Sequence, residues 1–170
     1  LGWGEDFADA LEKGESAEDC ARVTSVRRKG YEALSASGPV FLRRGESASE
    51  EDRPTVGDWV VADFKRQRYV RVLPRRTVLK RIMPGRGLAM QLIASNVDAA
   101  FVVTSCNQDF NPARLERFLA VAREAGAEPV VVLTKADLAE DPQGYVDEAA
   151  EIAAGAIVVA LNAKRWRDVS

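Results

Sequence analysis

Thr134-Lys135-Ala136-Asp137 stands directly after the apolar run Pro129-Val130-Val131-Val132-Leu133. An ionised carboxylate only accepts hydrogen bonds and has two oxygens, so Asp137 can take two neighbouring N–H donors of a planar group at once. The stem of Lys135 can lie along a flat face while its ammonium stays in water. At the end of the next apolar run, Ile157–Leu161, the pair Asn162-Ala163 offers backbone donors whose presence does not depend on side-chain identity. A bland alternative exists at both places. Residues 134–137 also suit a solvated loop with an exposed Lys and an Asp that caps the next helix, and 162–163 a plain strand-to-helix loop. The sequence has no His, and its two cysteines, Cys20 and Cys106, lack CxxC spacing. Within these residues that removes His-based triads, His general bases and His-containing zinc sites. The two thiols read as reduced packing residues.

The segments around these residues alternate strand and helix. Asn96–Thr104 carries an almost unbroken apolar run, the pattern of a strand buried on both faces of a parallel sheet. Asn111-Pro112 reads as an N-cap followed by proline in the first helical position. Leu115, Phe118, Leu119 and Ala122 follow at i, i+3, i+4 and i+7, one apolar helix face, and Gly126 ends the helix. Asp141-Pro142 repeats the cap, with Tyr145, Ala149, Ile152 and Ala153 as the apolar positions and Gly155 as the stop. The order is β-α-β-α-β, a parallel α/β unit with right-handed crossovers. Ligands of such sheets bind beyond the carboxyl ends of the strands, where both polar segments lie.

The first half has a different grammar. Short strands are expected at Arg22–Arg28, Tyr31–Leu34, Val40–Arg43, Thr55–Phe64, Arg68–Leu73 and Val78–Ile82, separated by Gly-, Ser- and Pro-rich turns. This pattern predicts a small OB- or SH3-like barrel with Trp59 in its core. Charge is unevenly spread. Residues 1–20 sum to −6, residues 21–91 to +9 and residues 92–170 to −5. A basic block between acidic ones points to a local polyanion surface, with Arg27-Arg28-Lys29, Lys65-Arg66-Gln67-Arg68 and Arg75-Arg76 as RNA-binding candidates, although a solvated barrel surface carries the same charges. Residues 5–20 read as a short acidic helix or a loosely attached leader. The expected organisation is an acidic segment (1–20), a barrel (21–83), a turn-rich linker (84–91) and the α/β part (92–170). No apolar run approaches the roughly 20 residues of a membrane helix. The opening Leu1-Gly2-Trp3-Gly4-Glu5-Asp6 lacks the features of a signal peptide. A cytoplasmic protein with no membrane partner is therefore expected.

Thr134-Lys135-Ala136-Asp137 is similar to the NKxD/TKxD base-recognition motif of GTPases, with Thr in place of the usual Asn. Guanine presents N1–H and an exocyclic N2 amine on one edge, two donors for Asp137, whereas the N1 of adenine is an acceptor and would face the carboxylate repulsively. In GTPases a Ser-Ala pair after the next strand gives a backbone N–H to the guanine carbonyl. Here Ala163 matches and Asn162 replaces Ser.

Further stretches extend the likeness: Val56-Gly57-Asp58-Trp59-Val60, Val72-Leu73-Pro74-Arg75-Arg76-Thr77, Gln91-Leu92-Ile93-Ala94-Ser95-Asn96-Val97-Asp98 and Asn111-Pro112-Ala113-Arg114-Leu115-Glu116-Arg117-Phe118-Leu119. Together they resemble the circularly permuted ribosome small subunit-dependent GTPase A family (RsgA, or YjeQ). The resemblance implies an OB barrel that contacts ribosomal RNA, then a GTPase domain in which base recognition precedes the phosphate loop, then a zinc module. It implies GTP or GDP with magnesium as ligands, Thr134–Asp137 and Asn162-Ala163 as the nucleotide-binding residues, and the small ribosomal subunit with its rRNA as partner. No GxxxxGK[ST] occurs in the sequence. The phosphate loop, the catalytic residues and the zinc ligands are thus expected beyond Ser170, and the 170 residues alone are expected to be inactive. An RNA-binding assembly factor with an incomplete nucleotide site is the alternative.

Overall fold

The computed structural model describes residues 2–45, 52–82 and 90–165. These divide at Val97/Asp98 into two compact units.

In the first unit, strands β1 (Cys20–Arg27), β2 (Gly30–Ser35), β3 (Gly38–Arg43), β4 (Trp59–Asp63) and β5 (Arg68–Val72) close into a barrel of order β1-β2-β3-β5-β4, with β1 pairing β4 and β3 running parallel to β5. This is the OB arrangement. Period-two alternation fills the interior with Ala21, Val23, Tyr31, Ala33, Leu42, Val60 and Ala62. The strand expected from Thr55 begins only at Trp59, because the Asp58 carboxylate turns back to accept from the Thr55 amide at 2.8 Å.

Strand β6 (Val78–Ile82), expected as part of the barrel, instead pairs with β7 (Met90–Ser95) in a separate hairpin. The expected linker at 84–91 lies outside the described residues except for Met90 and Gln91, which open β7. The hairpin base is clasped to the loop before β4. Asn96, 2% exposed, donates from Nδ2 to Gly57 O and accepts from the Arg76 amide through Oδ1. A Cβ on Gly57 would fall 2.0 Å from Ser95 O, and its φ of +92° is left-handed, so only glycine fits.

The acidic segment is not a loose leader. Helix α1 (Glu5–Asp9) is far too short to persist alone. It is held because Phe7, 1% exposed, packs with Trp3 against Trp59. Arg71 pins the following residues, donating to Ala10 O at 2.9 Å and to the Glu15 carboxylate at 3.1 Å. That hydrogen bond holds the Glu15 carboxyl below its ordinary value. Trp59 is buried, but not in the barrel interior expected for it: it packs with Phe7, Cys20, Val61 and Leu73 in a second cluster, while its neighbour Val60 fills the barrel.

In the second unit, strands β8 (Ala99–Ser105), β9 (Glu128–Thr134) and β10 (Ile157–Ala160) form a parallel sheet of order β10-β9-β8. Helices α2 (Pro112–Glu124) and α3 (Pro142–Ala153) connect them. Both caps form. Asn111 accepts from the Arg114 amide at 2.9 Å and Asp141 from the Gly144 amide at 3.0 Å, each with proline at the first turn.

Successive right-handed crossovers that step in one direction place both helices on the same sheet face. There Val102, Val131 and Leu133 pack with Leu115, Leu119, Ala149 and Ala153. Burial on both faces, expected from the apolar run in β8, is not what the described residues give. On the other face Phe101 is 70%, Val103 60% and Ile157 56% exposed. Phe118, expected on the buried face of α2, is also exposed, with the Arg117 guanidinium over its ring.

Candidate functional site

The carboxyl ends of β9 and β10 meet as the α/β pattern requires. Leu161 N donates to Leu133 O at 2.9 Å, and Ala136 N reaches Leu161 O at 3.5 Å. These bonds set residues 134–137 beside residues 161–163. Thr134 ties the β8 loop in: its Oγ1 donates to Thr104 O, and its carbonyl accepts from Cys106 N, both at 2.9 Å. Lys135 takes the left-handed region (φ 59°) and Ala136–Leu138 a 3-10 turn, which together turn the chain sharply and present Asp137 to solvent. The Asp137 carboxylate has no hydrogen-bond or ion-pair partner among the described residues. Its two oxygens therefore remain open to an outside pair of donors. Asn162, half-buried, accepts from the Lys164 amide through Oδ1, which shapes the turn that carries the exposed Ala163.

One neighbour escaped the sequence reading. Asp109 lies on the loop after β8, with Oδ2 3.7 Å from Lys135 Nζ. Asn107 holds that loop by accepting from Ser105 Oγ and Asp109 N. The Asn-x-Asp spacing of an Asx turn was the available signal. The Cys106 thiol beside it is pushed up by burial, and Cys20 is pushed up by burial to about 11.

On the barrel, Arg28 and Lys29 occupy the β1–β2 turn and Lys65 and Arg66 the β4–β5 turn. The end of β3 lies between them. Arg44 N donates to Lys29 O at 3.2 Å, and Arg43 N to Gln67 O at 2.7 Å. The cations of Arg27-Arg28-Lys29, Arg43-Arg44 and Lys65–Arg68 thus share one rim, and these two turns are where OB folds bind oligonucleotides. Arg27 is paired with Glu32, and Arg66 with Asp63. Arg28, Lys29, Lys65 and Arg68 are exposed and make no ion pair among the described residues.

The family model described as RsgA GTPase matches residues 72–169. The chain belongs to the RsgA GTPase family. It is 46% identical over 162 residues to a small ribosomal subunit biogenesis GTPase RsgA of Mesorhizobium japonicum, covering 95% of this chain and 46% of that protein. It is 41% identical over 165 residues to RsgA 2 of Vibrio vulnificus, covering 96% and 46%. The chain thus spans about half the length of the curated relatives it matches. The crystal structure of YjeQ from Thermotoga maritima superposes with a TM-score of 0.65 at 22% identity, over 86% of this chain and 52% of that one. That likeness supports the fold, a closed barrel followed by a parallel α/β sheet.

Membership in the RsgA GTPase family leaves the basic candidates to be sorted by geometry. Arg75 is a structural cation. Its Nε and NH2 each donate to the Asp58 carboxylate at 2.8 Å, Asp58 is wholly buried, and Ser95 Oγ completes the cluster. Such a bidentate pair leaves little of Arg75 to offer a phosphate. Arg76 lies over the Phe7 ring and 3.8 Å from Asp6. Neither stands on the rim of the two turns. Arg43 and Arg44, which do, were absent from the candidates because their neighbours across the barrel are distant in sequence. Among the described residues no group of three His, Cys, Asp or Glu side chains could hold a metal, and no helix is long and apolar enough to cross a membrane.

Proposed function

We propose that the chain is the front part of a GTP-binding and GTP-hydrolysing factor acting in late assembly of the small ribosomal subunit in the cytoplasm. The second unit supplies guanine recognition, and the barrel binds ribosomal RNA. One observation carries the nucleotide reading: the open carboxylate of Asp137 lies at a parallel-strand end, with the Leu161–Ala163 backbone hydrogen-bonded alongside. The N1–H and N2 donors of guanine fit the two carboxylate oxygens, and the Lys135 stem covers a face of the base. The name carried by the relatives supports the same reading. GTP phosphates, magnesium and the zinc module are assigned to the half of the family's length that this chain does not span, and no step is routed through them here.

In the intact protein, Asp137→Asn turns an acceptor into a donor that opposes a guanine donor. GDP binding should weaken by about 2–4 kcal/mol, while xanthine nucleotides gain. Parallel titrations of both nucleotides against both proteins check this. Unchanged GDP affinity in the variant would sink the assignment.

A further inference from the structure

An aromatic residue, Phe41, stands on β3 two positions before Arg43 of the basic rim. Strand pairing puts Tyr31 opposite Leu42 inside the barrel, and Gly30 opposite Arg43 and Glu32 opposite Phe41 outside it. Phe41 is 40% exposed, whereas Leu42 beside it is fully buried. The Phe41 ring lies over the backbone of Gly30: a Cβ there would come 2.8 Å from Phe41 Cζ and 2.2 Å from Leu42 O. The glycine gives the ring a flat seat against the strand. Phe41 has no ring partner among the described residues. Arg28 and Lys29 of the turn directly precede Gly30, against which the ring lies, and Arg43, two positions after Phe41 on the same strand face, pairs with Gly30. The carboxylate opposite Phe41 across the strand pair, Glu32, is held by Arg27 through two hydrogen bonds of 3.0 and 3.2 Å, so its charge is matched and does not repel a phosphate backbone.

We infer that Phe41 is a stacking platform for an unpaired base of single-stranded RNA, whose flanking phosphates are taken by the cations of the β1–β2 turn and the end of β3. Every base has a flat π-face, so a seated aromatic ring amid unpaired cations binds single strands with little regard for sequence. A-form duplex buries its base faces in the stack and leaves such a ring unused. The inference rests on the proposed RNA-binding role of the barrel and adds the kind of RNA it takes.

The test uses the 170-residue chain with a short single-stranded oligoribonucleotide carrying 2-aminopurine, and a duplex of the same sequence. The wild type should prefer the single strand and quench the 2-aminopurine. Phe41→Leu should weaken single-strand binding about tenfold and abolish the quench, with an unchanged slope of log affinity against log salt, because the phosphate contacts remain. Phe41→Trp should keep both affinity and quench. Equal melting temperatures of the variants would confirm that the fold is intact. Wild-type affinity and quench in Phe41→Leu, or a duplex bound as well as the single strand, would overturn the platform while leaving RNA binding in place. Failure of the wild type to bind any RNA at low salt would instead overturn the RNA-binding reading itself.

Discussion

The barrel and the parallel sheet handle their edges in opposite ways. Five strands of the barrel close on one another, with β3 and β5 joined at the single pair Arg43–Arg68, and the interior is filled by side chains drawn from every strand. The sheet of the second unit has three strands and two helices, and both helices lie on one face. Its covered face is packed to near-zero exposure at Val131, Leu133, Ala149 and Ala153, while its opposite face leaves Phe101 and Val103 mostly exposed. A barrel can therefore be complete between Cys20 and Val72, whereas a crossover sheet is half covered until elements arrive from the other side. Closure leaves the barrel's exposed cations on an outer rim, where RNA binding is proposed. The sheet's candidate site is at the strand ends, where Thr134–Asp137 lies.

The largest effect that separates the two units comes from Arg75→Ala. Removing Arg75 takes the cation from a wholly buried Asp58 carboxylate, which costs about 3–5 kcal/mol. Urea unfolding followed by tryptophan fluorescence should register that loss. Hydrogen exchange at β9 amides should remain near wild type, because the cluster belongs to the first unit alone. Loss of protection at β9 would show that the units are not energetically separate.

Leu119→Ala and Phe101→Ala sharpen the contrast within the sheet. Leu119 is 1% exposed on the helix-covered face, and its truncation should cost about 2–5 kcal/mol. Phe101, on the open face, should change stability by about 0.5 kcal/mol or less in the isolated chain. Binding of an apolar dye should fall in Phe101→Ala, since that ring is the most exposed part of the face. A large cost at Phe101 in thermal melts would mean that the face is covered in solution, by self-association or otherwise.

Local chemistry was the legible part of the sequence. The Asn111-Pro112 and Asp141-Pro142 caps, the order of strands and helices, and the loop that carries Asp137 all follow from signals within a few residues. Pairing between distant segments was not legible in the same way. The partner of Val78–Ile82 proved to be Met90–Ser95, because a short strand reads alike in a barrel and in a hairpin. Arg75 read as one more surface cation in a basic block until Asp58, seventeen positions earlier, supplied a buried carboxylate. Arg43 and Arg44 joined the rim only through hydrogen bonds to Lys29 and Gln67 across the barrel. Apolar composition revealed that β8 is a core strand but not how many of its faces are covered, since that depends on where the helices go.

Calorimetry of guanosine, GDP and adenosine against the 170-residue chain tests most directly whether the second unit holds base recognition without a phosphate site. With only Asp137, Lys135 and the Ala163 backbone to meet the ligand, guanosine and GDP should bind alike and no better than roughly millimolar, because a few base contacts must offset the entropy of association. Adenosine should bind more weakly still, and phosphate release from GTP should stay at background. Micromolar GDP with weak guanosine would contradict this, for it would place a phosphate-binding site within these residues.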